Sequence, residues 1–285
     1  MSVRLTYNSY GKHRVRVSKI KRPRQGPPNT ERHEFIEAAV DVELEGDFAA
    51  AYTAGDNTQV VATDTCKNTV YAVAKDDPFD SIESFGTALA SHFIKKYAHV
   101  SQAKATLLEH RWHRLLDCPH AFSGSDGETP TAVVTTRRGE PVRVSAGIEG
   151  LVIAKTTETG FENFHRDEYR TLPDTADRIF ATELTARWDY APEAAVDYAQ
   201  AREAVRLALL KRFIDHYSKS VQETLMLMGQ AALDACEAVA AITLTMPNKH
   251  HLLARLVPGD RPNENEVFVA TDEPFGWITG TVTRT

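Results

Sequence analysis

Cysteine is scarce in this chain: Cys66, Cys118 and Cys236 are the only three among 285 residues. They are odd in number, far apart and form no C-x-x-C pair, which excludes a disulfide framework and favours a reducing compartment. Long hydrophobic runs are missing too. No apolar stretch approaches membrane length, and the start of the chain has no apolar signal core. The last residues, Thr283-Arg284-Thr285, do not form a Ser-Lys-Leu type address. Together these absences set the expectation of a cytoplasmic protein with no membrane partner. An excess of positive charge is also lacking. Thirty-three basic residues face 39 acidic ones, for a net charge of −6, which argues against a bulk nucleic-acid binder. One local asymmetry stands out: Arg4 to Arg24 holds eight Lys or Arg and no carboxylate.

What is present has a clear plan. The length suits two domains or one large one. His13-Arg14-Val15-Arg16-Val17 alternates basic and apolar residues, and Ile36, Ala38, Val40, Val42 and Leu44 repeat at period two; both patterns predict strands with one buried face. Between them, Arg22 to Asn29 is rich in breakers and predicts a wide hairpin loop. Ser81 to Tyr97 predicts a helix with Phe85, Leu89, His92 and Phe93 on one face. Strands are expected around Thr106–Leu116, Ala132–Thr136, Val142–Val144 and Leu151–Thr156, with a hairpin turn at Arg137 to Glu140. Helices near Ala201–Tyr217 and Val221–Ala235 follow, then a strand at Ala241–Thr245 that Pro247 should end. Two pairs of segments look alike at an offset of about 120 residues, the sign of a duplication. They are Val60–Thr65 with Ile179–Leu184, and Phe93–Gln102 with Phe213–Gln222. The predicted fold class is α+β, two halves of antiparallel sheet with helices on one face, 1–140 and 141–285.

Polar residues gather at the ends of these elements. Lys12 precedes a strand, Thr63 and Asp64 stand at a helix start, and Phe161 lies in a loop. Arg178 precedes a strand, Val221 and Gln222 open a helix, and Asn248 and His250 follow Pro247. Each has an ordinary explanation taken singly: Thr63 or Asp64 as an N-cap, Arg178 in a surface ion pair, Phe161 in a core, Lys12 and Gln222 simply solvated. Cys66 stands at a helix start, where the macrodipole favours a thiolate; a buried, inert thiol is the competing reading. His110, His113, Cys118 and His120 have the flavour of a zinc site. But His110 and His113 cannot share a strand face, and no third ligand is fixed.

Taken in order, Tyr10-Gly11-Lys12, "VATDTCKNTVY", "FHRDEYRTL", "DRIFAT", "SVQ" and "PNKH" resemble the urate oxidase (uricase) family over nearly the whole chain. The resemblance implies a homotetramer of tandem tunnelling-fold (T-fold) domains. Their sheets would close into a barrel around a central tunnel, with helices outside. It implies oxidation of urate by O2 to 5-hydroxyisourate and hydrogen peroxide, with no metal and no organic cofactor. By the same resemblance Arg178 and Gln222 grip one edge of the purine, and a guanidinium fork suits an oxygen and ring-nitrogen edge as lysine does not. The backbone N–H groups of Val221 and Asp64 bind further heteroatoms, and Phe161 stacks on a ring face. Lys12 and Thr63 form the base system, which places Lys12 inside the site. Asn248 with Thr63 holds O2 over the ring, and His250 relays protons. The sites are shared between subunits.

Two rivals remain at this level. A zinc-dependent pterin or purine enzyme of the same fold class would need a convincing ligand set. A non-catalytic purine-binding protein would need only Arg178, Gln222 and Phe161, and would leave Lys12, Thr63, Asn248 and His250 unexplained.

Overall fold

The structure is a computed structural model that describes residues 3–22, 32–124, 127–192, 194–258 and 261–284. Its elements, in chain order, are β1 (Tyr10–Lys21), β2 (Glu34–Gly46), α1 (Ala49–Thr53), α2 (Thr63–Asp76), α3 (Ile82–Lys96), β3 (Val100–Glu109), β4 (Trp112–Arg114), β5 (Phe122–Gly124) and β6 (Thr129–Arg137). Then come β7 (Arg143–Lys155), β8 (Phe180–Tyr190), α4 (Tyr198–Ile214), α5 (Val221–Ala235), β9 (Val239–Lys249), β10 (His251–Leu253), β11 (Phe268–Ala270) and β12 (Gly276–Thr283). The chain divides into two compact units. One holds Met1–Gly147 with Asp189–Gln200, the other Ile148–Trp188 with Ala201–Thr285.

In the first unit an antiparallel sheet runs β1-β2-β3-β6. Period-two patterning places its side chains: Ala38, Val40, Val42 and Leu44 of β2 and Ala103, Ala105 and Leu107 of β3 are buried, while their neighbours Asp41, Glu43, Lys104 and Thr106 stay half-exposed. Helix α3 lies over β3 and β6, and α2 over β1. The start of α3 is a capping box, in which the Ser81 hydroxyl accepts from the Ser84 N–H and the Ser84 hydroxyl from the Ser81 N–H. Its apolar face buries Phe85, Leu89 and Phe93, and leaves His92 half-buried. In the second unit the order is β7-β8-β9-β12, and α5 packs on β9 and β12. The Ser220 hydroxyl caps α5 by accepting from the Glu223 N–H.

The duplication is real in its elements, though not at the offset the sequence suggested. Val60–Thr65 is loop and helix start, whereas Ile179–Leu184 runs into β8; Phe93 leads into a strand, whereas Phe213 leads into α5. The true correspondence joins α3 to α5 and β3 to β9, with Ser81 and Ser220 as matching caps 139 residues apart. A guanidinium marks it best. Past β6, Arg138 donates to the carbonyls of Ile94, Tyr97 and Val100 at 2.7, 2.8 and 2.9 Å. Past β12, Arg284 donates to the carbonyls of Leu233, Cys236 and Val239, the corresponding three. Both clamps close the last turn of a helix and the first residue of the next strand, where unpaired carbonyls and the negative end of the dipole attract a cation. A short hairpin, β4-β5 or β10-β11, interrupts each half at the same place.

Other differences are local. The strand expected over Thr106–Leu116 stops at Glu109, and Leu116 and Asp117 adopt left-handed backbone at φ 42° and 59°. Val142–Val144 and Leu151–Thr156 are parts of one strand, β7, which runs through Gly150 at φ 74°. From Pro23 onward the breaker-rich loop lies outside the described residues. The hairpin turn at Arg137 to Glu140 is present, with Gly139 at φ 81°.

Each half brings its helix against the sheet through a glycine. A Cβ on Gly86 would lie 2.8 Å from Leu107 Cδ1 and 2.9 Å from Val134 Cγ2; one on Gly229 would lie 2.6 Å from Val282 Cγ2. Gly86→Ala and Gly229→Ala should therefore each lower unfolding free energy by about 1–3 kcal/mol through overpacking. Denaturant unfolding of the two variants tests this. A midpoint equal to the parent's would mean that the close approach does not seat the helix.

Candidate active site

The first unit carries Lys12, Thr63 and Asp64. Strand β1 presses flush on β2 just before Lys12, where a Cβ on Gly11 would come within 1.7 Å of the Val42 carbonyl oxygen. Just after Lys12 the register shifts, and Arg14 sits at φ 58° with its N–H on Asp41 Oδ1 at 2.6 Å. A bulge re-aims the residues beside it. Lys12 is half-buried, and its ammonium acts electrostatically on both Asp64 and Cys66. The segment before α2 is a loop. Its anchor is Tyr10, whose hydroxyl accepts from the Val61 N–H at 2.7 Å and whose ring meets Phe48 edge-on at 4.7 Å. Burial pushes that hydroxyl up to about 12, so it keeps its proton. One tyrosine thus ties the strand of Lys12 to the loop that delivers Thr63. In the sequence Tyr10 stands out only as part of Tyr10-Gly11-Lys12, a tyrosine two residues before the lysine.

Thr63 and Asp64 are not caps. Ala62 occupies the N-cap position and makes no side-chain capping bond; Thr63 and Asp64 are the first helical residues, both exposed. The Asp64 carboxylate turns along the helix to accept from Lys67 and from Asn68, which together hold it below the usual carboxylate range, Lys67 first. Its backbone N–H belongs to the uncapped first turn, where donors point outward and the dipole favours an anion. Cys66, one turn in, is fully buried, and burial pushes its thiol up to about 11. Desolvation outweighs the backbone hydrogen bond and Lys12, which favours the buried, protonated thiol over the thiolate that its position suggested.

The second unit carries Phe161, Arg178, Val221, Gln222, Asn248 and His250. The Arg178 guanidinium lies over the Phe161 ring, 5.5 Å from its centroid. Phe161 in turn stacks on Phe164 at 4.7 Å and 8°. The backbone is fixed on both sides. Phe161 and Thr175 exchange N–H to carbonyl bonds at 2.7 and 3.1 Å, and the Arg178 N–H donates to the Thr159 carbonyl at 3.0 Å. Gly160 is tightly enclosed: a Cβ there would fall 2.3 Å from the Tyr217 hydroxyl and 2.9 Å from the Thr175 carbonyl oxygen. A cavity of about 260 Å³ lies beside the ring, lined by Gly160, Phe161, Glu162, Asn163, Tyr217 and Lys219. Burial lowers the Arg178 pKa, with Tyr217 opposing. Its buried Nε has no hydrogen-bond partner among the described residues. The surface ion pair considered for it is absent among them.

Val221 and Gln222 open α5, Val221 buried and Gln222 exposed. Because the Ser220 cap takes the Glu223 N–H, the N–H groups of Val221 and Gln222 remain as first-turn donors. Strand β9 does not end at Pro247. It continues to Lys249, with Pro247 opposite Trp277 and Asn248 opposite Gly276. Alternation then puts Asn248 on the buried face with Ile242, Leu244 and Met246, at 8% exposure. His250 follows directly, half-buried, its carbonyl accepting from the Thr271 N–H at 3.0 Å. Its neighbours are otherwise engaged: Lys249 pairs with Glu183 at 3.0 Å, and His251 Nδ1 lies 3.2 Å from the Lys249 carbonyl. Among the described residues no group of three or more His, Cys, Asp or Glu side chains could hold a metal ion. The Cys118 thiol and His120 Nε2 do approach, at 3.9 Å.

A family model described as Uricase matches residues 8–135 and 144–279. The chain is 43% identical over 280 residues to the uricase of Arthrobacter globiformis, across 98% of this chain and 90% of that one. It is 38% identical over 283 residues to the uricase of Dictyostelium discoideum, across 97% and 96%. The crystal structure of uricase from Arthrobacter globiformis matches with a TM-score of 0.94 at 42% identity, covering 100% of this chain and 96% of the other.

The buried, protonated state of Cys66 has a direct readout. A thiol-specific reagent at pH 8 should modify Cys118 and Cys236, both half-exposed, well before Cys66. Peptide mapping after brief labelling assigns the sites. Labelling of Cys66 at a rate equal to the others would contradict its burial.

Proposed function

Because the chain belongs to the uricase family, we propose that it oxidises urate with O2 and water to 5-hydroxyisourate and hydrogen peroxide. The observation that carries this reading is Arg178: a half-buried cation over an aromatic ring, with a buried donor left without a partner among the described residues. Leaving such a donor unmade is costly, and a flat anion that both stacks on Phe161 and accepts from the guanidinium removes the cost. Urate is such an anion. Gln222 and the N–H groups of Val221 and Asp64 complete its recognition in this reading.

The chemistry then falls to the remaining residues. Urate must lose protons before it is electron-rich enough to pass two electrons to O2. Lys12 with the Thr63 hydroxyl is the base system, and the electrostatic contact of Lys12 with Asp64, next to Thr63, supports their acting together. Asn248 and Thr63 hold O2 and later water over the ring, and His250 relays protons. The reaction needs no metal or organic cofactor in this reading. The further expectations belong to it as well: a homotetramer whose barrel surrounds a tunnel, a cytoplasmic location, and domains 1–140 and 141–285, supported by the two matched segments. Urate consumption under air with stoichiometric peroxide release, unaffected by a chelator, tests the proposal. Purified protein that binds urate without consuming it would refute it.

The division of roles predicts different kinetic faults. Arg178→Ala should weaken urate and inert purine analogues alike, by roughly 1.5–3 kcal/mol. Lys12→Ala should cut turnover far more than it weakens an analogue. Lost analogue affinity with normal turnover at saturating urate in Lys12→Ala would reverse the assignment.

The sharing of sites between subunits gives a second test. Thr63 and Asp64 come from one chain in this reading, and Phe161, Arg178, Gln222, Asn248 and His250 from its neighbour across a two-fold interface. Inactive Arg178→Ala and Thr63→Ala chains refolded together then place both defects in one site and none in the other. Roughly one quarter of parental activity should return on random mixing. Verified mixed oligomers without activity would place both residues in one chain.

A further inference from the structure

Behind the grip residues of the second unit lies a run of buried hydroxyls that nothing so far uses. Thr224, on the first turn of α5, and Ser218, just ahead of it, have no exposed surface. The Thr224 hydroxyl donates to Ser218 Oγ at 2.7 Å, and the Ser218 hydroxyl donates to the Ser220 carbonyl at 3.1 Å. The imidazole of His216 closes the run, with Nε2 2.9 Å from Thr224 Oγ1 and Nδ1 2.7 Å from the Arg212 carbonyl. Lys155 holds the His216 carbonyl at 2.6 Å.

The backbone of Ser218 reaches the other half of the grip. Its N–H donates to the Glu158 carbonyl at 2.9 Å, and its carbonyl accepts from the Gly160 N–H at 2.8 Å. The loop so held carries Phe161, and its Thr159 carbonyl receives the Arg178 N–H. Ser218 is therefore the joint between two sets of purine contacts. Its backbone sets Phe161 and Arg178, and its side chain sets the first turn of α5 with Val221 and Gln222. A ring plane and an edge must be met together by these two sets, and small displacements between them are costly for binding.

We infer that Thr224 is a positioning residue for the grip: through Ser218 and His216 it fixes the first turn of α5 against the loop of Phe161. The inference rests on the urate reading. Replacing Thr224 by Val keeps the shape and removes the hydroxyl, which strands the acceptor on Ser218 and frees the imidazole. Thr224→Val should raise KM for urate and the Kd of an inert purine analogue by about tenfold, the worth of one buried hydrogen bond, with kcat changing less. Thr224→Ser keeps the hydroxyl and should bring both constants back towards parental values. A residue that only supported the fold would lower the unfolding midpoint and the active fraction, and leave KM and Kd alone.

The experiment measures KM, kcat, analogue Kd and unfolding midpoint for the parent, Thr224→Val and Thr224→Ser. Ser218→Ala, which cuts the same side-chain link at a smaller residue, carries the same expectation and decides the matter if Thr224→Val fails to fold. Parental KM and Kd in a folded Thr224→Val or Ser218→Ala protein overturn the inference, as do raised constants that Thr224→Ser does not restore. A parent that does not consume urate overturns the functional reading instead, so the two failures are told apart.

Discussion

Helices α2 and α5 both end on a cation supplied by the sheet they cover. Lys19 of β1 donates to the carbonyls of Ala74 and Asp77 at the end of α2, and Arg284 past β12 donates to those of Leu233 and Cys236 at the end of α5. The negative end of each helix is thus satisfied within its own unit. The other end is left partly open. The start of α2 has no side-chain cap, and the Ser220 cap of α5 spares the N–H groups of Val221 and Gln222. Helices with neutralised C-termini and open first-turn N–H groups hold positive potential at those N-termini. The placement of these helices is the constraint on which the rest depends.

Charge is managed differently at the two ends of that arrangement. At the clamps, guanidinium and ammonium groups are saturated by carbonyls. At Arg178 the guanidinium is half-buried over an aromatic ring with a donor unpaired among the described residues. The asymmetry has a physical meaning: a clamp stabilises the fold, whereas an unmet cation stabilises whatever anion arrives. The same economy governs titration. Burial raises the Tyr10 hydroxyl and the Cys66 thiol together, so the residues beneath the first turn of α2 stay protonated and uncharged around Lys12.

Much of this is legible in the sequence. Period-two patterning locates β1 and β2, the apolar face of Phe85, Leu89 and Phe93 locates α3 to within a residue, and the helix expected over Val221–Ala235 is α5. These signals are local, because one buried face imposes its period on the chain directly. The repeat was detected but misaligned. Similar short strings fell on unlike elements, while the features that truly correspond, Ser81 with Ser220 and Arg138 with Arg284, are single residues whose equivalence only their partners reveal. Pro247 breaks the alternating pattern and predicts a strand end; pairing with β12 carries the strand through it.

By itself the sequence determined the element types, the absence of a disulfide framework, and the identity and order of the candidate site residues. Tertiary structure decided what those residues meet. That Cys66 is a buried thiol with a raised pKa and that Tyr10 holds the loop before Thr63 depend on burial and on neighbours distant in sequence; that the Asp64 carboxylate turns to Lys67 and Asn68 depends on the helix that brings them together. Desolvation and hydrogen bonding act through space, and no pattern along a chain measures the distance between Tyr10 and Val61.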